Sequence, residues 1–195
     1  MALRWVGWLI DRVHSRWLVW SIQGDALRAV PGDDPAGWVR VDERRVDHLF
    51  AAEPERRSRF LAFLRRGHRG VALADAGRWV AYGWLATPRS GPADHLPTST
   101  AGRYWIFYCR TADDQRNRGH YRRALVALVG AAAGDAAPGD ASTPTVFIDT
   151  RDDNAPARSA IERLGFVPAG VVHLWRLPRT TRRLGYWRKA EAHGR

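Results

Sequence analysis

Apolar residues recur along this chain with two periods, and the switches between them divide it into elements. Over residues 3–14, Trp5, Val6, Leu9, Ile10 and Val13 share one helical face, with Arg4 and Asp11 opposite. "RWLVWSI" (16–22) reads as a first strand. Residues 23–40 carry Gly24, Pro31, Gly32, Pro35 and Gly37 and read as loop, with room for a short strand around Ala26–Val30. Asp42 is placed to cap a helix over 43–52, and Glu53–Pro54 to start another through Arg66, with Phe60, Leu61 and Leu64 as its apolar stripe. "RGVALAD" and "RWVAYGWLAT" are two strands joined by Ala76–Gly77, a hairpin signal. Residues 88–102, rich in proline, glycine, serine and threonine, read as a surface loop.

The second half alternates. "RYWIFYCRT" (103–111) predicts a strand, followed by a helix to about Ala133. "GDAAPGDASTP" (134–144) is loop, and "TVFIDT" (145–150) a short buried strand. A helix from Ala155 to Leu164 stops at Gly165, and "AGVVHLWRL" (169–177) predicts a last strand. The tail from Pro178 holds five arginines and Lys189 with little apolar periodicity, and its end is expected to be mobile.

This order predicts one α/β (α+β) domain over residues 1–195, a mixed sheet with helices on its faces. Residues 71–177 form its core, 1–70 an N-terminal helix, strand and helices, and 178–195 a basic tail. The strand–helix–strand unit from Arg103 predicts a parallel pair with a right-handed crossover. A length of 195 residues suits one sizeable core. No apolar run reaches the roughly 18 residues of a membrane span. Arg4, Asp11 and Arg12 break the N-terminal run, which does not read as a secretory signal. Cys109 is the only cysteine, so no internal disulfide forms, and a reducing cytoplasm is the expected location.

Charge changes the picture less than its size suggests. The net charge is +11, yet Lys189 is the only lysine. An arginine excess of this kind fits the codon bias of a GC-rich genome as well as a selected basic surface. Nucleic acid therefore stays open as a partner, and a membrane surface stays open for the helix at residues 3–17.

The stretch "TADDQRNRGHYRRAL" (111–125) sits where a strand turns into a helix. A helix start leaves backbone N–H groups unpaired and carries partial positive charge, which suits a phosphate. Gly119 permits close approach and positive φ, and Arg116, Arg118, Arg122 and Arg123 add charge. The stretch thus reads as a pyrophosphate-binding loop. No GxxxxGK[ST] and no GxGxxG is present. No GxSxG elbow occurs, and no His/Cys cluster has metal spacing, so no metal is expected. His14, His48, His68, His95, His120 and His173 are scattered and read as structural or solvated.

Residues "QRNRGHYRRAL" followed by "NAPARSAIERLGF" resemble the GNAT superfamily of acyl-CoA N-acyltransferases. Its acyl-CoA loop, [QR]-x-x-G-x-[GA], is matched by Arg116, Asn117, Arg118, Gly119 and His120, with Tyr121 departing at the last position. Its later motif is matched by Asn154, Ala157, Leu164, Gly165 and Phe166. The resemblance covers 104–177 and extends through the hairpin to Val71. It implies that the strands 104–111 and 146–150 splay apart and that pantetheine enters the gap. Phe107, Cys109 and Thr111 would then share one face, with backbone near Cys109 and Thr111 pairing with pantetheine and Asn154 touching cofactor or acceptor. Acetyl-CoA, or another acyl-CoA, is the implied co-substrate.

An amine attacking a thioester loses a proton, and a thiolate leaves. The resemblance implies a base glutamate on the fourth strand, but Trp105 stands there. A second family position for the base falls on Asp149, the expected base here, whose alternative is a strand-end cap or an arginine partner. The usual acid, a tyrosine, is replaced by Ile161, leaving Tyr121, Ser159, Tyr108 or water. Cys109 as an acyl-enzyme nucleophile lacks a nearby activating histidine. His173 is a candidate for the acceptor side. The resemblance implies an N-acyltransferase, and the acceptor is an amine on a small molecule, a peptide or an aminoacyl-tRNA. The rival is a non-catalytic module that binds acyl-CoA or RNA on the same fold.

Overall fold

The computed structural model describes residues 14–30, 37–135, 144–176 and 183–190. In chain order they form β1 (His14–Ile22), α1 (Gly24–Ala29), β2 (Trp38–Val41), α2 (Glu43–Leu49), α3 (Pro54–Arg65), β3 (Arg69–Asp75), β4 (Arg78–Ala86) and β5 (Tyr104–Thr111). Then follow α4 (His120–Ala133), β6 (Val146–Arg151), α5 (Ala155–Glu162), β7 (Val167–Arg176) and β8 (Arg183–Lys189).

The strands make one sheet in the order β2-β3-β4-β5-β6-β1-β7-β8. β5 and β6 are its parallel pair, with α4 as the crossover between them, and the other neighbours are antiparallel. β1 does not begin the sheet. It inserts between β6 and β7, pairing Val19 with Asp149 on one side and Gly170 on the other.

The strand alternation feeds two cores. On one face Val46, Phe50, Phe60 and Phe63 of α2, α3 and the turn between them pack on Tyr82, Trp84, Trp105 and Phe107. On the other, Leu125, Leu128 and Val129 of α4 and Ile161 of α5 pack on Trp20, Ile22, Leu85, Ile106 and Ile148. Helix starts follow ordinary chemistry. Asp42 accepts from the Arg45 backbone N–H at 2.8 Å and caps α2. Asn154 accepts from the Ala157 N–H at 3.3 Å and caps α5.

Three expectations fail. Residues 24–29 are helix, not a short strand around Ala26–Val30, because Asp25 and Arg28 pair one turn apart and Leu27 buries on the α4 core. Trp38–Val41, read as loop, is the edge strand β2, paired with β3. The basic tail contains β8, paired with β7 from Gly170–Lys189 to Arg176–Arg183, so its order comes from a neighbour rather than from its own periodicity. The amphipathic run at 3–14 lies outside the described residues except for His14, and the loop at 134–144 largely so. No described helix is long and apolar enough to cross a membrane.

Candidate active site

β5 and β6 pair only over Tyr104–Ile106 and Val146–Ile148. Beyond that register they part, and from Phe107 onward β5 pairs with β4 alone. Phe107 and Asp149 are therefore the first residues past the fork. The splayed strands implied by the resemblance are present.

A β-bulge lies on β5 at the same level. The register with β4 shifts between Tyr82 and Trp84, and Tyr108 adopts φ of 50°, the left-handed region. The extra residue changes the phase of alternation. Phe107 and Tyr108 both pack toward Phe63, whereas Cys109 packs with the α4 core. The expected common face for Phe107, Cys109 and Thr111 is thus broken, because strict alternation does not survive a bulge.

A cleft of about 590 Å³ opens at the fork. Its lining includes Trp17, Arg59, Phe63, His95 and Tyr108, together with Cys109, Tyr121, Asp149, Thr150 and Asn154. Of the expected site residues, the fold therefore collects Asp149, Tyr121, Cys109 and Asn154. Thr111 is not in the lining. It pairs with Ala81, and its hydroxyl is buried without a protein partner.

Asp149 occupies the apex with only 2% of its side chain exposed. Trp105 Nε1 donates to Oδ1 at 2.5 Å. His95 Nε2 lies 3.0 Å from Oδ2 and 3.3 Å from Oδ1. No arginine pairs with it among the described residues. His95 comes from the loop between β4 and β5, read as a solvated surface segment. That loop is anchored: Ala93 and Leu96 are buried, Arg66 bonds Asp94 and the Pro92 carbonyl, and His68 bonds Ser90 at 2.9 Å. His95 carried no sequence signal, since nothing local distinguishes it from the other histidines.

Titration separates the remaining candidates. Burial pushes the Cys109 thiol up to about 12, so it is no thiolate at neutral pH. Burial, then Cys109 and Asp149, raise Tyr121 well above the usual phenol range, so it keeps its proton. Ser159 bonds Arg163, and Ile161 is fully buried between α5 and the sheet. His173 stacks on His14 with ring centroids 5.2 Å apart, on β7 rather than in the cleft.

The phosphate-loop residues surround the start of α4. Gly119 is its N-cap with φ of 78°, and a Cβ there would meet nothing within 4 Å. Asn117 is also left-handed at φ of 62°. Arg116 pairs with Asp113 at 2.7 Å, whereas Arg118, Arg122 and Arg123 have no acidic partner among the described residues. Burial and then Arg123 and Arg118 hold His120 below the ordinary histidine range. Tyr121, one residue into α4, links this helix start to the cleft. Asn154 is committed to capping, and its amide also donates to Thr150 at 3.2 Å. Among the described residues, no group of three or more His, Cys, Asp or Glu is placed to hold a metal.

Comparison with solved structures matches this geometry to a known architecture. A protein of Novosphingobium aromaticivorans assigned to the GNAT acetyltransferase family aligns with TM-score 0.54 and 20% identity, over 82% of this chain and 62% of its own. A GNAT-family acetyltransferase of Colwellia psychrerythraea aligns with TM-score 0.54 and 15% identity, over 88% and 59%. The chain has the GNAT fold. A functionally unknown protein of Staphylococcus epidermidis shares it, with TM-score 0.56 and 12% identity over 85% and 63%. The chain spans about three-fifths of the length of these GNAT-fold structures. No family model and no curated protein matches the sequence.

Proposed function

We propose that this protein transfers an acyl group, acetyl first among them, from acyl-CoA to an amine by direct attack. The observation that carries the reading is Asp149 at the apex of the β5–β6 fork, inside a cleft that leads to the start of α4. The unpaired edge of β5 around Cys109 and Thr111 offers backbone groups to pantetheine. Arg116, Asn117, Arg118, Gly119 and His120 receive the pyrophosphate at the helix start. Asn154 closes the cofactor side.

Chemistry then divides between two groups. Asp149 supplies the buried negative charge on the base side of the reaction, where the amine loses its proton. Tyr121 keeps its proton and donates it toward the departing sulfur. Cys109, held as a thiol, takes no part as a nucleophile. The acceptor enters on the side of Trp17, Arg59, Phe63 and Tyr108. An amine on a small molecule, a peptide or an aminoacyl-tRNA meets that description, and the last would use the arginine surface. The cytoplasm, where acyl-CoA is made and used, is the proposed location.

The test is a thermal-unfolding titration with acetyl-CoA, longer acyl-CoAs and free CoA, followed by CoA release in the presence of amine pools. Ligand at about 100 times its dissociation constant should stabilise the fold by roughly 2.7 kcal/mol. Binding with turnover supports the enzyme. Binding without turnover supports the non-catalytic module, which the buried Ile161 at the usual acid position favours. No shift with any ligand removes the reading.

A further inference from the structure

We infer that His95, held by Asp149, is the group that takes the proton from the acceptor amine. The inference rests on the acyl-transfer reading of the cleft and deepens it by naming the base. Asp149 itself is poorly placed for the task. Its carboxylate is almost wholly buried and already receives the Trp105 indole and the His95 imidazole. An amine reaching it would have to displace one of these donors.

The hydrogen-bond chemistry decides the state of the imidazole. A carboxylate only accepts, so the 3.0 Å contact requires the proton on His95 Nε2. In the neutral ring the lone pair is then on Nδ1. That atom bonds to no described residue and is not among the sealed polar atoms of the structure. The ring lines the cleft with 19% of its side chain exposed. Trp17 packs on it at a centroid distance of 5.4 Å, and Phe107 lies at 6.4 Å. A buried carboxylate that fixes the tautomer, and an imidazole whose other nitrogen is open, together form a base with its orienter.

The step balances. The amine nitrogen bonds to the thioester carbon, the carbon–sulfur bond breaks, and the electron pair leaves on the sulfur of CoA. The amine proton passes to His95 Nδ1 and from there to water. The sulfur takes a proton from Tyr121 or solvent, giving an amide and free CoA. His95 touches the reacting amine, whereas Asp149 and Trp105 position it.

Two measurements test this. Nitrogen-15 NMR of the full chain reads the tautomer without any acceptor: the Nε2–H form is expected for His95, shifting toward Nδ1–H in Asp149→Asn, whose amide can donate to Nε2. CoA release is then followed with whichever amine turns over in a panel of a diamine, a free N-terminal peptide and puromycin. His95→Ala should lower kcat about 10²- to 10⁴-fold, keep the thermal shift with acetyl-CoA, and recover in part with added imidazole. His95→Gln, close in volume, should be equally slow. A wild-type Nδ1–H tautomer, or unchanged turnover in both His95 variants of an active protein, overturns the role of His95 alone. A wild type that binds no acyl-CoA or releases none of its CoA overturns the acyl-transfer reading and this role with it.

Discussion

Trp105 on β5 and Asp149 on β6 join the two strands just where their backbones separate, the indole nitrogen lying 2.5 Å from the carboxylate oxygen to which it donates. The backbone ladder ends at Ile106 and Ile148, and a side-chain bond takes over at the fork. Trp105 stacks on Phe147 at 5.4 Å and is buried, so its N–H has a fixed direction.

Trp105→Phe keeps most of the ring volume and removes the donor. A buried acceptor that loses its partner costs about 1–3 kcal/mol. Chemical denaturation should show a loss of that size, and CoA release should slow while acetyl-CoA affinity holds. Full stability in the variant would mean that Asp149 finds another donor.

Gly119→Val separates binding from folding. Nothing in the protein lies within 4 Å of the new Cβ, but φ of 78° strains any L side chain. The unliganded protein should lose about 1–2 kcal/mol, while the thermal shift with acetyl-CoA should vanish because the side chain fills the phosphate approach. A retained shift would remove the loop from the cofactor site.

Gly83 faces the bulge from β4. A Cβ there would lie 2.8 Å from both Cys109 Sγ and Leu128 Cδ1. Gly83→Ala should therefore destabilise by about 1–3 kcal/mol, and adding Cys109→Ala should recover part of that loss. Cys109→Ala alone should leave turnover within a few-fold of wild type, since the thiol is pushed up to about 12. Iodoacetamide at pH 8, read by mass spectrometry, should label it slowly.

His68 makes stability pH-dependent. Burial, then Arg66, lower it from 6.5 to about 4. Below the unfolded value the unfolded chain binds a proton that the folded chain refuses, so stability rises with pH through this window. It should be fully present above about pH 6.5 and be lost as pH falls toward 4. The melting temperature of His68→Gln, followed from pH 7 to 4, should fall less steeply than that of wild type. Parallel curves would show that His68 does not titrate in this range.

Local patterns made much of the fold legible. The hairpin of β3 and β4, the cap Asp42, and the β5–α4–β6 unit all follow from nearest-neighbour chemistry along the chain. Edge strands were harder. β2 is four residues long and β8 has charged residues at both ends, and each is a strand because a partner supplies its hydrogen bonds.

The sequence by itself determined the type of most elements, the glycine-punctuated start of α4, and the placement of Asp149 on a buried strand. Side-chain period, capping and turn chemistry act within a few residues, so a linear reading captures them. Tertiary structure decided the rest. It inserted β1 between β6 and β7, shifted the phase of β5 at Tyr108, and brought His95 across 54 positions to Asp149. Those outcomes depend on long-range pairing and on where two strands part. No local period encodes either, and so the histidine that completes the site became visible only in the folded chain.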